Sequence, residues 1–308
     1  MRVLLALLLV GIAGCGGGSS PPGEGAVPTP EGSQAKVDKS SAPAVDTDPV
    51  VAVLKMHEAY IKQNEQGEVV EVITDAGLVH LEGLNHLKHL DLEFTQITDA
   101  GLVHLKGLTK LETLSLNFTK ITDAGLVHLK GLTSLQSLNL YGTKITGTGL
   151  VHLKGLTKLQ ALRLDGTKIT DAGLVHLKGL TSLQTLSLGT TQIIDTGLVH
   201  LRGMTNLQAL RLDATKVADA RLVHLKGLQL TSLGIPNDAK TDLGLKHYLA
   251  ALETHTALNL SGWKITDAGL VHLKGLTKLE TLSLNFTKVT DAGVADLQKA
   301  LPNCKISR

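Results

Sequence analysis

The chain has 308 residues, 19% of them charged, with a formal net charge of +2 and aromatic residues at only 2%. That balance leaves no global basic footprint for nucleic acid, and so few rings cannot fill one deep core. Leucine must supply the buried area instead, which points to a thin core layer repeated many times.

The opening residues, MRVLLALLLVGIAGC, set Arg2 ahead of an apolar run from Val3 to Ile12 and end in small residues before Cys15. The run is shorter than the roughly 20 apolar residues of a membrane-spanning helix and reads as a secretory signal over residues 1–14. Ile12-Ala13-Gly14-Cys15 resembles the lipobox of bacterial lipoproteins. The resemblance implies cleavage before Cys15 and acylation of both its thiol and its new amine. The alternative is an ordinary signal peptide with an incidental cysteine. Two or more acyl chains hold a protein stably at a membrane. Gly16, not Asp, follows the cysteine, and by the same resemblance the outer membrane is favoured over the inner. Residues 15–48 are mainly Gly, Ser, Pro and Ala. They hold too little apolar area to offset chain entropy, so a disordered tether with a reach of about 30 Å is expected.

Residues 49–63, PVVAVLKMHEAYIKQ, read as an amphipathic helix and Val69–Val72 as a strand, together an N-terminal cap over 49–72. A 24-residue period then begins at Ile73 and recurs at Ile97, Ile121, Ile145, Ile169, Ile193 and Val217. A distorted unit follows near Lys240, then Ile265 opens another and Val289 a truncated one. The string ITDAGLVHLKGLTKLETLSLNFTK occurs unchanged at 97–120 and at 265–288. Within a unit Leu111, Leu114 and Leu116 spell L-x-x-L-x-L, a short strand closed by Thr119. Asp99 is expected to open a short helix, where a carboxylate meets free N–H groups, and Gly101 to let that helix approach the strand. This pattern resembles leucine-rich repeats of the bacterial ITDAGL type over roughly residues 67–308. The implied fold is an α/β solenoid curved as a horseshoe, with parallel strands on the concave face and short helices on the convex face. Repeats occupy 73–288, irregular at 227–264, and a C-terminal cap 289–308. No unit buries its own apolar edge, so stacking on neighbours supplies stability. In the cap Leu301, Cys304 and Ile306 take leucine positions, which makes Cys304 a core residue.

His80, His104, His128, His152, His176, His200, His224 and His272 form one column. A zinc ladder needs ligand atoms about 2 Å from the ion, whereas adjacent helices lie about 8–10 Å apart, so no metal site is expected there. Projected at 100° per residue, each histidine flank faces a neighbour's basic flank: Lys106, Lys130, Lys154, Lys178, Arg202, Lys226 or Lys274. The reading is a solvated helical face, with a basic stripe touching anionic lipid or polysaccharide as the alternative. Protonating all 13 histidines would take the formal charge from +2 to +15, so any adhesion through this face should strengthen near pH 5. The outward column from Val79 to Val271 is an apolar stripe of the kind that can mark a partner surface.

Variation is confined to the strand positions that point to solvent. Arg163 with Asp165 and Arg211 with Asp213 put paired charges two repeats apart on one face, about 10 Å from each other at the strand spacing of parallel sheets. Tyr141 lies alongside, and these residues are the expected ligand-contact patch. Local salt bridging, worth little at a surface, is the competing explanation. His89, Asp91 and Glu93 alternate onto one strand face, either as donors for a divalent cation or as polar decoration. In residues 227–264 the leucine spacing slips by one, Pro236 enters a strand end and Arg221 replaces the small residue just upstream. Trp263, the chain's one tryptophan, takes the threonine column there and is a further candidate contact, since insertions in repeats often map to binding faces. Decay of a tolerated unit explains the same facts.

No phosphate loop, HExxH metal motif or nucleophile elbow occurs, so neither catalysis nor a cofactor is expected. The leading reading is a lipid-anchored, monomeric binding module for a protein or glycan at the cell envelope. A structural spacer without a specific ligand is the alternative. Similar repeats serve eukaryotic F-box ubiquitin ligases, but F-box helices are missing here and an export signal contradicts that role.

Overall fold

The computed structural model describes residues 61–63, 69–72, 74–253 and 256–308. The secretory signal, Cys15, the tether, the cap helix up to residue 60 and Ile73 lie outside these. Strand β1 (Ile61–Gln63) pairs antiparallel with β2 (Val69–Val72), Ile61 opposite Val72. Residues 61–63 are therefore strand where the amphipathic pattern continued the helix.

From there the chain repeats one motif. β3 (His89–Asp91), β4 (Thr113–Ser115), β5 (Ser137–Asn139), β6 (Ala161–Arg163), β7 (Thr185–Ser187), β8 (Ala209–Arg211) and β9 (Ser232–Gly234) form a seven-stranded parallel sheet in sequence order. The register is fixed by leucine: Leu90, Leu114, Leu138, Leu162, Leu186, Leu210 and Leu233 stand opposite one another. All are buried, because a one-residue slip would turn each of them into solvent. β10 (Ala257–Asn259), β11 (Thr281–Ser283) and β12 (Lys305–Ser307) form a second parallel sheet. Ile306 sits opposite Leu282, and Cys304 is buried with its thiol pKa pushed up by burial.

Most return segments are shorter than α-helices of ordinary length, the exceptions being ten-residue helices at Asp242–Ala251 and Asp291–Ala300. Some are one α-turn running into a 3-10 turn, as at Asp123–Leu126 and Val127–Leu129. Others, such as Gly101–Leu105 and Gly149–Leu153, are 3-10 throughout, so the α projection at 100° per residue holds only in part. The 3-10 form rises about 2.0 Å per residue, which lets five residues span the edge of the leucine layer.

Two expectations change at the joint between units. The cap is the threonine, whose hydroxyl accepts from a following backbone N–H at Thr74, Thr122, Thr241 and Thr290. The aspartate instead reaches across to the next unit: Asp99 accepts from the backbone N–H of Thr122 at 2.8 Å and from its hydroxyl at 2.5 Å. Asp75, Asp242 and Asp267 do the same to Thr98, Thr266 and Thr290. The glycine likewise makes room for the previous unit rather than for the strand, since a Cβ on Gly125 would stand 2.4 Å from Asp99 Oδ1. Where Arg221 takes that position, it pairs with Asp195 at 3.5 Å.

The irregular unit carries a ten-residue helix, Asp242–Ala251, capped by Thr241. Trp263 packs edge-on against Tyr248 of that helix, ring centroids 5.1 Å apart, and is buried. The expectation of Trp263 as a surface contact is thus corrected: it fills space beneath the longer helix.

Candidate recognition surface on the strand face

In-register pairing sets Asn139, Arg163, Ser187, Arg211 and Gly234 in one row across β5–β9. Arg163 and Arg211 are therefore two strands apart, with buried Ser187 between them. Arg163 Nε lies 3.7 Å from Asp165 Oδ2 and its guanidinium stands over the Tyr141 ring, 5.7 Å from the centroid. Asp165 Oδ1 accepts from the backbone N–H of Gly189 at 3.1 Å. Its Oδ2 is buried without a hydrogen bond among the described residues and faces the Arg163 guanidinium. Arg211 Nε donates to Asp213 Oδ2 at 3.3 Å. A Cβ on Gly234 would stand 2.4 Å from that oxygen, so the missing side chain is what lets Asp213 lean there. Both ion pairs use Nε, and among the described residues nothing bonds the outer nitrogens of either guanidinium, which suit a charge-assisted contact. The structure brings Tyr141, Arg163 and Asp165 into one contact group, places Arg211 and Asp213 two strands on, and separates Trp263 from all of them.

Towards the N-terminal side a polar chain crosses three strands. Asn139 Nδ2 donates to Asn117 Oδ1 at 3.0 Å, and Asn117 Nδ2 donates to Glu93 Oε2 at 3.0 Å. Glu93 thus bonds its neighbour strand, and the backbone N–H of Glu93 donates to Asp91 Oδ1 at 3.1 Å. Among the described residues no group of three His, Cys, Asp or Glu is placed to hold a metal ion, so His89, Asp91 and Glu93 do not converge.

Beside this chain runs a feature that residue-type patterning did not single out. Phe94 and Phe118 stack with centroids 4.8 Å apart and planes 15° from parallel, and Tyr141 meets Phe118 edge-on at 4.6 Å. The signal was present in the sequence: all three phenylalanines of the chain, Phe94, Phe118 and Phe286, fall in one repeat column. All three also adopt left-handed backbone, φ 58°, 56° and 60°.

On the helix face two of the column histidines bond the preceding unit's flank, one an acidic residue and one the expected basic residue. His104 Nδ1 lies 2.6 Å from Glu82 Oε1 and His224 Nδ1 2.7 Å from Arg202. Burial first, then Lys106, lowers the His128 pKa against the opposing pull of Asp99. Burial and then Lys154 lower that of His176. The valines beside them are part-exposed. The smaller sheet forms an open hollow of 730 Å³ lined by apolar residues such as Ala257 and Ile306 together with Asn259, Ser283, Lys305 and Ser307.

Sequence comparison agrees with the geometry. A family model described as Leucine rich repeat matches residues 85–145 and 109–169, and a second model of that description matches 275–297. The chain carries leucine-rich repeats. Among solved structures, an internalin (inlF) from Listeria monocytogenes str. 4b F2365 is similar in fold at TM-score 0.50 and 22% identity. The match covers 84% of this chain and 92% of that one. An internalin C2 (inlC2) of the same organism aligns at TM-score 0.41 and 26% identity, covering 78% and 81%. No curated protein matches. No described helix is long and apolar enough to cross a membrane.

Proposed function

We propose that the chain is a lipid-anchored recognition module of the cell envelope, which binds a protein through the strand face around Tyr141, Arg163, Asp165, Arg211 and Asp213. Leucine-rich repeats are a protein-interaction scaffold, and the lipobox-like residues before Cys15 supply the anchor. One observation carries the reading: Arg163 is held between the Tyr141 ring and Asp165 through its Nε, and no partner among the described residues takes its outer nitrogens. Arginine and tyrosine are the residues that dominate protein interfaces, and a guanidinium already fixed in place loses less side-chain freedom on binding. A protein ligand fits better than a glycan, since the Phe94 and Phe118 faces are turned on each other rather than laid out as a platform. The reading assigns no catalytic step. A crosslinking pull-down from native envelopes, wild type against Arg163→Ala/Arg211→Ala, tests it. One stoichiometric partner lost with the double variant is expected. Equal capture by both, or no partner with either, would leave the structural-spacer reading in its place.

A further inference from the structure

The left-handed position that follows each strand is occupied by glycine in three units, Gly142, Gly166 and Gly262, and by Thr190 and Ala214 in two more. Glycine adopts that backbone freely, while a bulky side chain there is strained. Phe94 and Phe118 carry the strain, yet they leave 64% and 43% of their surface exposed. Neither backbone ease nor full burial accounts for them; what the rings add is an apolar strip. The strip is held in shape by its neighbours. Phe118 leans over Gly142, where a Cβ would stand 2.8 Å from the ring, and Tyr141 leans over Gly166, where a Cβ would stand 3.1 Å away. Arg163 closes the far end over Tyr141.

We infer that Phe94 and Phe118, backed by Tyr141, anchor an apolar side chain of the partner protein that has a lysine or arginine next to it. The inference rests on the strand-face reading above and names what that face grips. The stacked rings leave exposed apolar surface, which suits an aliphatic or aromatic side chain. Charge selects the neighbour: Glu93, adjacent to Phe94 in the chain, is exposed and bonded to the neutral Asn117 amide, and no cation among the described residues pairs with it. A partner's basic side chain would lay its apolar stem along the rings and its charged head at Glu93.

The test selects random dodecapeptides displayed on phage against the full chain, then titrates the enriched synthetic peptides against variants. Expected are peptides with a large apolar residue beside Lys or Arg, bound at least about tenfold more weakly by Phe94→Gly/Phe118→Gly. Phe286→Gly, with the same backbone and 94% exposure but no ring partner among the described residues, should bind them as wild type does. The melting temperature of the double glycine variant should stay within about 3 °C of wild type, because glycine fits this position in other units. Several results would overturn the inference: no enrichment, equal binding by the double glycine variant, competition by sugars rather than by salt, or a collapse in melting temperature that makes the rings structural. A ring-dependent dimer in sedimentation would put a second copy in the partner's place. Loss of peptide binding with Arg163→Ala/Arg211→Ala but not with the glycine variant sinks the ring anchor and spares the strand-face reading. Loss with the glycine variant alone supports the ring anchor and takes the two arginines out of the contact.

Discussion

Thr119 spends its hydroxyl on the carbonyl of Leu116, 2.6 Å away, and Thr95, Thr143, Thr167, Thr191 and Thr215 repeat the bond at 2.6–2.7 Å. All six threonines are buried, so the hydroxyl closes each strand by satisfying a carbonyl that water cannot reach. Thr143→Val keeps the shape and removes the donor; about 1–2 kcal/mol of stability should go, seen as a melting point lower by about 3–6 °C. The column was legible from spacing alone, as were the leucines. The backbone angle of Phe118 was not, because periodicity gives a residue its column and not its φ. At that position a strain of about 1–2 kcal/mol stands against ring stacking worth about 0.5–1.5 kcal/mol, so the net effect on stability is small and its sign could not be read from residue type. Trp263 misled for a related reason. A large ring in a threonine column signals a local change, but whether it faces out or in depends on the helix above it, and the helix of ten residues at Asp242–Ala251 draws it in.

At the scale of the element, the return segments are held by cross-unit bonds that repeat spacing conceals. A carboxylate at the start of a helix normally suggests a cap within that helix; here Asp99 and its equivalents bond the following unit's threonine, so the same residue serves as mortar between layers. Three histidines of the helix face resist protonation. His128, His176 and His224 have pKa values below the ordinary 6.5, from burial first and then from Lys106, Lys154 and, for His224, Arg202 with Arg221. Because the folded chain resists protonation that the unfolded chain accepts, their contribution to stability is present above pH 6.5 and is lost as pH falls through the folded values. Melting temperature should therefore decline below about pH 6.5, and Lys106→Gln should soften the decline, both readable by thermal scans between pH 7.5 and pH 5. The same lowering means that these three histidines add less charge to the face on acidification than unshifted ones would.

On the scale of the molecule, the arrangement of variable side chains followed from the repeat: an in-register parallel sheet lines up every residue of one column. That is why Arg163 and Arg211 could be placed two strands apart from sequence, while the way Gly189 and Gly234 make room for the aspartates needed the coordinates. Cys15→Ala should move the chain from the membrane fraction to the soluble fraction and abolish labelling by a tagged fatty acid, and an unchanged distribution would contradict the lipid anchor. The most direct measurement places a photo-crosslinking amino acid at Thr185, on β7 between the two arginine strands, and in parallel at Ala172, exposed on the helix face. Irradiation of native envelopes should give one discrete adduct from position 185 and none of that mass from 172. The same adduct from both positions, or none from 185, would contradict recognition through the strand face.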